Sequence, residues 1–328
     1  MDVALVAAVV LALVFAWTNG VHDAANAVAT TIASRSLGAP MALLLAAVLN
    51  GVGVLLGEGV ARVTGTTLLV VPTPVVDEAV VPAALLAAIG WNLLTWRWGV
   101  PSSSSHALIA GLAGAGLASA AHLHSAVLAR SVLWPLLVSP VLGFALAWLF
   151  LHGLAAAFRH ATFDTALSRF RVAQTVSASA MALGHGLQDG PKTMGALVVA
   201  LGAAGHTSAE TPWWVMAGAA LALAAGTWQG GWSLIRTLGG RLVPVDPVVG
   251  FAATTAAALT LYGSAYVVNA PLSSTHAITG AVAGAGASAR GTGAVRWHLA
   301  GRIVGAWLLT PVVCAAAAWV VYRLLTLA

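Results

Sequence analysis

Charged side chains are scarce in this sequence: lysine, arginine, aspartate and glutamate together make up 7% of its 328 residues, against about 25% in a soluble domain. A water-facing exterior cannot be built from so few charges, so lipid is the expected solvent for most of the surface. Cysteine is nearly absent. Cys314 stands alone, which excludes an internal disulfide and a cysteine metal cluster. Lysine is equally rare. The formal net charge is +5, yet every basic residue except Lys192 is an arginine. The arginines stand at segment ends, where snorkelling and positive-inside placement account for them, so no nucleic-acid partner is expected. The N-terminus lacks a basic region and carries the acidic Asp2, which reads as a first membrane segment and not a cleaved signal peptide.

Apolar residues are what the chain has in quantity, at 60%. A spanning helix needs about 20 of them in succession. Such stretches begin near Val3, Pro40, Val80, Ala126, Val172, Trp213, Val248 and Leu299, and shorter, glycine-broken ones follow Ser105 and Thr275. The expected fold class is an all-α polytopic protein of the cell (inner) membrane, surrounded by lipid. Trp91, Trp96, Trp98, Trp213 and Trp214 lie near segment ends and read as interface anchors.

The chain repeats itself. Pro101 to Gly116 reads PSSSSHALIAGLAGAG and Pro271 to Gly286 reads PLSSTHAITGAVAGAG, identical at nine of sixteen positions at an offset of 170. Upstream, Asn19 to Ala27 reads NGVHDAANA and His185 to Thr193 reads HGLQDGPKT. Asp23 and Asp189 precede the serine motifs by 78 and 82 residues. The same order and similar spacing indicate duplication. Residues 1–151 are assigned to a first transmembrane repeat and 172–328 to a second. Residues 152–171, with Arg159, His160, Asp164, Arg169 and Arg171, read as a cytoplasmic linker. The loops from Glu58 to Ala79 (with Arg62, Pro72, Pro74, Asp77 and Glu78) and from Gly205 to Pro212 (with Glu210) read as outward-facing. Inverted topology is expected for a duplicated membrane protein of this kind.

Three charges fall inside apolar sequence: Asp23, Asp189 and Lys192. Each costs about 2.5–3.5 kcal/mol at mid-bilayer, so they are expected to face one another, water or a ligand. Asn19, Asp23 and Asn26 share one helical face, and His185, Asp189 and Lys192 repeat that spacing. Carboxylate and amide oxygens suit a hard cation such as Na+, or a proton on the carboxylate. The plainer alternative is an ion pair that only ties helices together. The serine motifs follow a different logic. Pro101 suits the first turn of a helix. The hydroxyls after it cap that helix, and a capped helix N-terminus is an anion site. Ser103, Ser104 and Ser105, with Ser273, Ser274 and Thr275, are the candidate anion-binding residues; paired caps without a ligand are the alternative. His22 and His185 neighbour the motif carboxylates and, with His106 and His276, are the candidates for a proton relay. His122, His124, His152, His160, His206 and His298 read as loop or interface residues.

These motifs resemble those of the inorganic phosphate transporter (PiT) family, bacterial branch. NGVHDAANAVATTIASR at Asn19 to Arg35 is similar to its first signature, and GHGLQDGPKTMG at Gly184 to Gly195 to its second. PSSSSH and PLSSTH are similar to its two hairpin-tip motifs. The resemblance implies two inverted-topology repeats with broken and re-entrant helices, a phosphate site between the halves, and coupling to H+ or Na+ without a cofactor or a resident metal. It leaves room for a homo-oligomer and a cytoplasmic accessory protein. Carried over by position, Asp23, Asn26 and Asp189 serve cation coupling, with Asn19 and Gln188 beside them. Gln188 stands where the family has asparagine, and Lys192 stands opposite Asn26. The lysine is expected to replace a coupling cation and balance phosphate, which favours protons over sodium, with phosphate carried free or as a neutral metal–phosphate complex. Two alternatives stay open: transport of another oxyanion such as sulfate, and a membrane enzyme acting on phosphate esters. The chain has neither a G-x-S-x-G elbow nor an H-E-x-x-H pair for the latter.

Overall fold

The computed structural model describes residues 3–57, 77–121, 123–160, 163–203, 205, 212–268 and 272–327. The loop residues Glu58, Arg62, Pro72, Pro74 and Glu210, together with His122, His206 and the motif's Pro271, lie outside these. Among the described residues the regular structure is all helical. The long helices are α1 (Val3–Ala33), α2 (Ala39–Leu56), α3 (Val80–Trp98), α4 (Ser104–Ala118), α5 (Trp134–Ala157), α6 (Phe163–Ala203), α7 (Trp213–Gln229), α8 (Pro247–Gly263), α9 (Ser274–Arg290) and α10 (Trp297–Leu325). Among the described residues, six helices are long and apolar enough to cross a membrane. Helices α4 and α9, at 15 and 17 residues, reach about 22 and 26 Å, short of the roughly 30 Å hydrocarbon core. Single π-helical turns interrupt the entry to α5 and the exits from α8 and from the short helix Trp232–Arg236.

The charged stretch 152–171 is mostly helical: α5 runs to Ala157 and α6 starts at Phe163, ahead of the apolar run that begins near Val172. Arginine is a good helix former, so charge there marks exposure to water, not loss of helix. The same helix continues through Pro191 to Ala203. Trp98, Trp213 and Trp214 are exposed, as interface anchors are, but Trp91 is buried and donates its indole N–H to Thr310 Oγ1 at 2.9 Å.

The ten helices form two sets of five that make corresponding contacts, and the sets interlock. Helix α1 packs on α7 of the other set while α6 packs on α2; α4 packs on α10 while α9 packs on α5. Glycine permits the closest crossings. A Cβ on Gly20 would sit 2.3 Å from Leu223 O, and one on Gly226 would sit 2.0 Å from Trp17 O. At the matching crossing, a Cβ on Gly186 would sit 2.1 Å from Asn50 O and one on Gly53 would sit 2.4 Å from Leu183 O. These contacts put the helix backbones against each other, as small residues do in membrane packing. Two apolar cores result. One holds Ala24 to Ala29 of α1 and Met181 and Ala182 of α6; the other holds Ala8 to Phe15 of α1 and Met194 to Ala200 of α6. The polar stretches of α1 and α6 lie between them.

Candidate functional site

The first aspartate motif needs no break in its helix. Asn19, His22, Asp23 and Asn26 lie on one face of α1, and all four are buried. Opposite them, His185, Asp189 and Lys192 line one face of α6, also buried. The two faces meet. Asn19 Nδ2 donates to Asp189 Oδ2 at 3.0 Å. His185 Nε2 lies 3.3 Å from Asp23 Oδ2 and 3.1 Å from Asp189 Oδ2, so one ring nitrogen is shared by both carboxylates. Lys192 Nζ reaches Asp189 Oδ1 at 2.5 Å. On the far side, His22 Nδ1 meets Asp23 Oδ1 at 2.8 Å and His22 Nε2 meets Thr95 Oγ1 and Ser102 Oγ at 3.2 and 3.3 Å. A hydrogen-bonded chain therefore runs Lys192–Asp189–His185–Asp23–His22–Thr95/Ser102 across three helices. Every buried charge in it has an opposite charge or a hydrogen-bond partner, which offsets the cost of removing it from water.

The two serine motifs form the caps expected of them. Ser103 Oγ accepts from His106 N, and Ser273 Oγ accepts from His276 N, both at 3.3 Å. A tight turn delivers α4. Helix α3 ends on Gly99 at φ 66°, a left-handed position suited to glycine, and α4 begins within five residues. Helix α9 begins at Ser274, and Ser139 Oγ accepts from Ser273 N at 3.2 Å.

The caps are joined to the aspartate motifs crosswise. Asn26 Nδ2 of the first repeat donates to Thr275 Oγ1 at 3.0 Å and to Ser274 Oγ at 3.4 Å in the second, and Thr275 Oγ1 donates to Asp23 Oδ1 at 3.2 Å. Lys192 of the second repeat donates to Ser105 Oγ of the first. The position equivalent to Asn26 thus reaches the equivalent hydroxyl with a different group: the Lys192 ammonium joins Asp189 to Ser105, whereas Asn26 donates to the hydroxyls of Ser274 and Thr275 and Thr275 itself reaches Asp23. Residues 19–318 match the family described as "Phosphate transporter family".

The chain belongs to the phosphate transporter family. It is 42% identical over 317 residues to the "Probable low-affinity inorganic phosphate transporter" of Rhizobium meliloti, covering 93% of this chain and 92% of that one. It is 36% identical to the protein of the same description from Bacillus subtilis, covering 100% and 99%. Its fold matches a solved structure, "The sodium-dependent phosphate transporter", at a TM-score of 0.86 and 22% identity over 99% of this chain and 100% of that one. Membership makes it a multi-pass protein of the cell membrane, and its family is one of transporters and not of enzymes, which removes the ester-hydrolase alternative.

Within the site, Gln188 turns away from the acids and donates to Leu261 O at 2.8 Å. Asp23, His185 and Asp189 bring one ligand atom each to within 4.8 Å of one another, the only such trio among the described residues. The nitrogen in that trio lies 3.3 Å from Asp23 Oδ2 and 3.1 Å from Asp189 Oδ2. His276 makes no side-chain hydrogen bond among the described residues and stands apart from the chain of acids.

Sequence reading missed several members. Asn50 on α2 meets His185 Nδ1 at 3.2 Å and is held by Thr227 at 2.9 Å. Thr95 and Ser102 complete the His22 end. Gln174 on α6 donates to Thr30 and Thr31 Oγ1 at 2.8 and 3.1 Å, and Thr254 Oγ1 lies 2.9 Å from Thr30 Oγ1. The available signal was an isolated amide within apolar sequence, as at Asn50.

Proposed function

We propose that this chain is a secondary transporter for inorganic phosphate, driven by protons in preference to sodium. The observation that carries the reading is Lys192, whose ammonium stands between Asp189 and the cap hydroxyl of Ser105. In the other copy the equivalent residue is neutral Asn26, which donates to the hydroxyls of Ser274 and Thr275. A tethered cation between a carboxylate and an anion cap does what a bound sodium ion would do there, and repels a second cation. The relatives' descriptions support phosphate as substrate. Sodium dependence belongs to the name of the solved neighbour, which at 22% identity shares the fold.

The anion is held by Ser103, Ser104, Ser105, Ser273, Ser274 and Thr275 with Lys192, using hydroxyls and free N–H groups of two helix N-termini. Asp23, His185, Asp189 and Asn19 couple the proton. The swapped contacts of the two five-helix sets fit inverted repeats, with a site at their interface and access alternating from side to side.

Uptake of labelled phosphate into vesicles containing the purified protein tests this. An inward proton gradient is expected to drive accumulation in the absence of sodium. Lys192→Asn, which makes the second motif resemble the first, is expected to lower proton-driven uptake at least tenfold and to introduce sodium dependence. Uptake that needs sodium in the wild type and ignores a proton gradient would overturn proton coupling. Equal competition by sulfate would overturn the substrate.

A further inference from the structure

We propose that the His106–His276 pair selects an oxyanion that carries a proton, admitting phosphate and rejecting sulfate. The proposal rests on the phosphate reading above and names the residues that give it specificity. Each histidine occupies the third position of a capped helix, His106 after Ser103 and His276 after Ser273. Their ring centroids lie 5.0 Å apart with the planes at 62°. The first turns of the two helices are therefore close enough for their histidine rings to meet, and an anion accepting from both termini lies beside the rings.

Both rings are buried, at 1% and 0% exposure. Neither nitrogen of His276 has a hydrogen-bond partner among the described residues, nor does Nδ1 of His106 or Oγ of Ser104. Native proteins rarely leave buried polar atoms unmet. A neutral imidazole bears one N–H and one bare nitrogen. His276 thus presents an unfilled donor and an unfilled acceptor together. Its orientation is fixed: Trp307 stacks on it at a centroid distance of 4.1 Å, and the Trp307 indole is itself anchored to Pro101 O at 2.9 Å.

Among the other groups around the caps, the hydroxyls, the backbone N–H groups and the Lys192 ammonium are donors, and the carboxylates of Asp23 and Asp189 are already engaged by Thr275 and Lys192. A bare ring nitrogen among them faces a lone pair if sulfate enters, because sulfate has no proton at neutral pH. Phosphate at the same pH retains at least one P–O–H, which donates to that nitrogen while its other oxygens accept. The difference is one met or unmet buried hydrogen bond, worth roughly tenfold to a hundredfold in affinity.

Competition against labelled phosphate uptake, using the full chain in vesicles, tests this with three tetrahedral anions. Arsenate keeps an O–H at neutral pH; sulfate and monofluorophosphate do not. In the wild type, arsenate is expected to compete at concentrations near those of phosphate, and the other two only at concentrations at least tenfold higher. In His276→Leu the phosphate half-saturation concentration is expected to rise about tenfold while the inhibitory concentrations of sulfate and monofluorophosphate stay level or fall, so the preference collapses. His276→Asn restores a donor and an acceptor and is expected to keep most of it. If monofluorophosphate competes as well as arsenate in the wild type, the proposal is overturned without any variant. It is also overturned if His276→Leu weakens all anions equally, which would mark water as the partner of the ring. A folded wild type that takes up no phosphate overturns the transport reading and this proposal with it; uptake with an unchanged preference overturns this proposal alone.

Discussion

Asp23 and Asp189 stand at equivalent places in two copies of one motif and live in different company. Asp23 is met by two histidines and the Thr275 hydroxyl, all of which are polar without needing to be charged. Asp189 is met by the side-chain nitrogen of Lys192, as well as by His185 and Asn19. The two motifs share the aspartate and differ in the residue three places after it, Asn26 in one and Lys192 in the other. The serine caps, by contrast, kept the same geometry to within the measured distance. The serine caps are alike in the two copies and the surroundings of the aspartates are not.

The largest expected effect that probes this contrast comes from removing the second acid. Asp189→Asn leaves Lys192 as a buried charge without its carboxylate and is expected to cost about 3–5 kcal/mol. Asp23→Asn removes hydrogen bonds from groups that tolerate neutrality and is expected to cost only about 1–3 kcal/mol. Thermal unfolding in detergent compares the two, and the double change Asp189→Asn with Lys192→Asn is expected to recover most of the stability without recovering transport. Equal costs for the two single changes would mean that the copies are energetically equivalent after all. Next in size is packing, where the halves are alike. Gly186→Ala and Gly20→Ala each drive a Cβ into the facing helix backbone, and each is expected to destabilise by about 1–3 kcal/mol. A large difference between them in the same unfolding assay would break the symmetry of the crossings.

The smallest expected effect lies at a second asymmetry. Gln174, Thr30, Thr31 and Thr254 form a buried polar cluster linking α6, α1 and α8. Their counterparts at the repeat offsets are Ala8, Ala196, Leu197 and Ala84, all buried and apolar. One flank of the site is thus polar and the other dry. Gln174→Leu makes the polar flank resemble the dry one and is expected to cost about 1 kcal/mol, read as a lowered unfolding temperature. A cost near zero would leave the cluster without a structural role.

The duplication, the helical class and the two caps were legible in the sequence because each is a local pattern: periodicity, a Pro-Ser-Ser run, charges in apolar surroundings. Asn19, Asp23 and Asn26 could be placed on one face by spacing alone. Their partners could not. Asn50, Thr95 and Gln174 join the network across separations of 73 to 144 residues, and nothing in the local sequence says which helix will lie opposite. Trp91 was misread for the same reason, since a tryptophan at an interface and one donating to a distant threonine have the same neighbours in sequence. Pro191 lacks a backbone N–H, yet α6 is continuous from Phe163 to Ala203.

The interlocking of the two five-helix sets has a consequence for how the protein is made. Chains emerge from the ribosome N-terminal end first. The first repeat therefore enters the membrane with Gly20 and α4 facing partners, α7 and α10, that have not yet been synthesised. Asp23 likewise precedes His185 and Thr275 by more than 160 residues. Until the later half arrives, Asp23 has His22 but lacks His185 and Thr275, so completing its surroundings falls on synthesis of that half. Trp307 and Thr310, on the last described helix, then fasten a hairpin completed some 200 residues before.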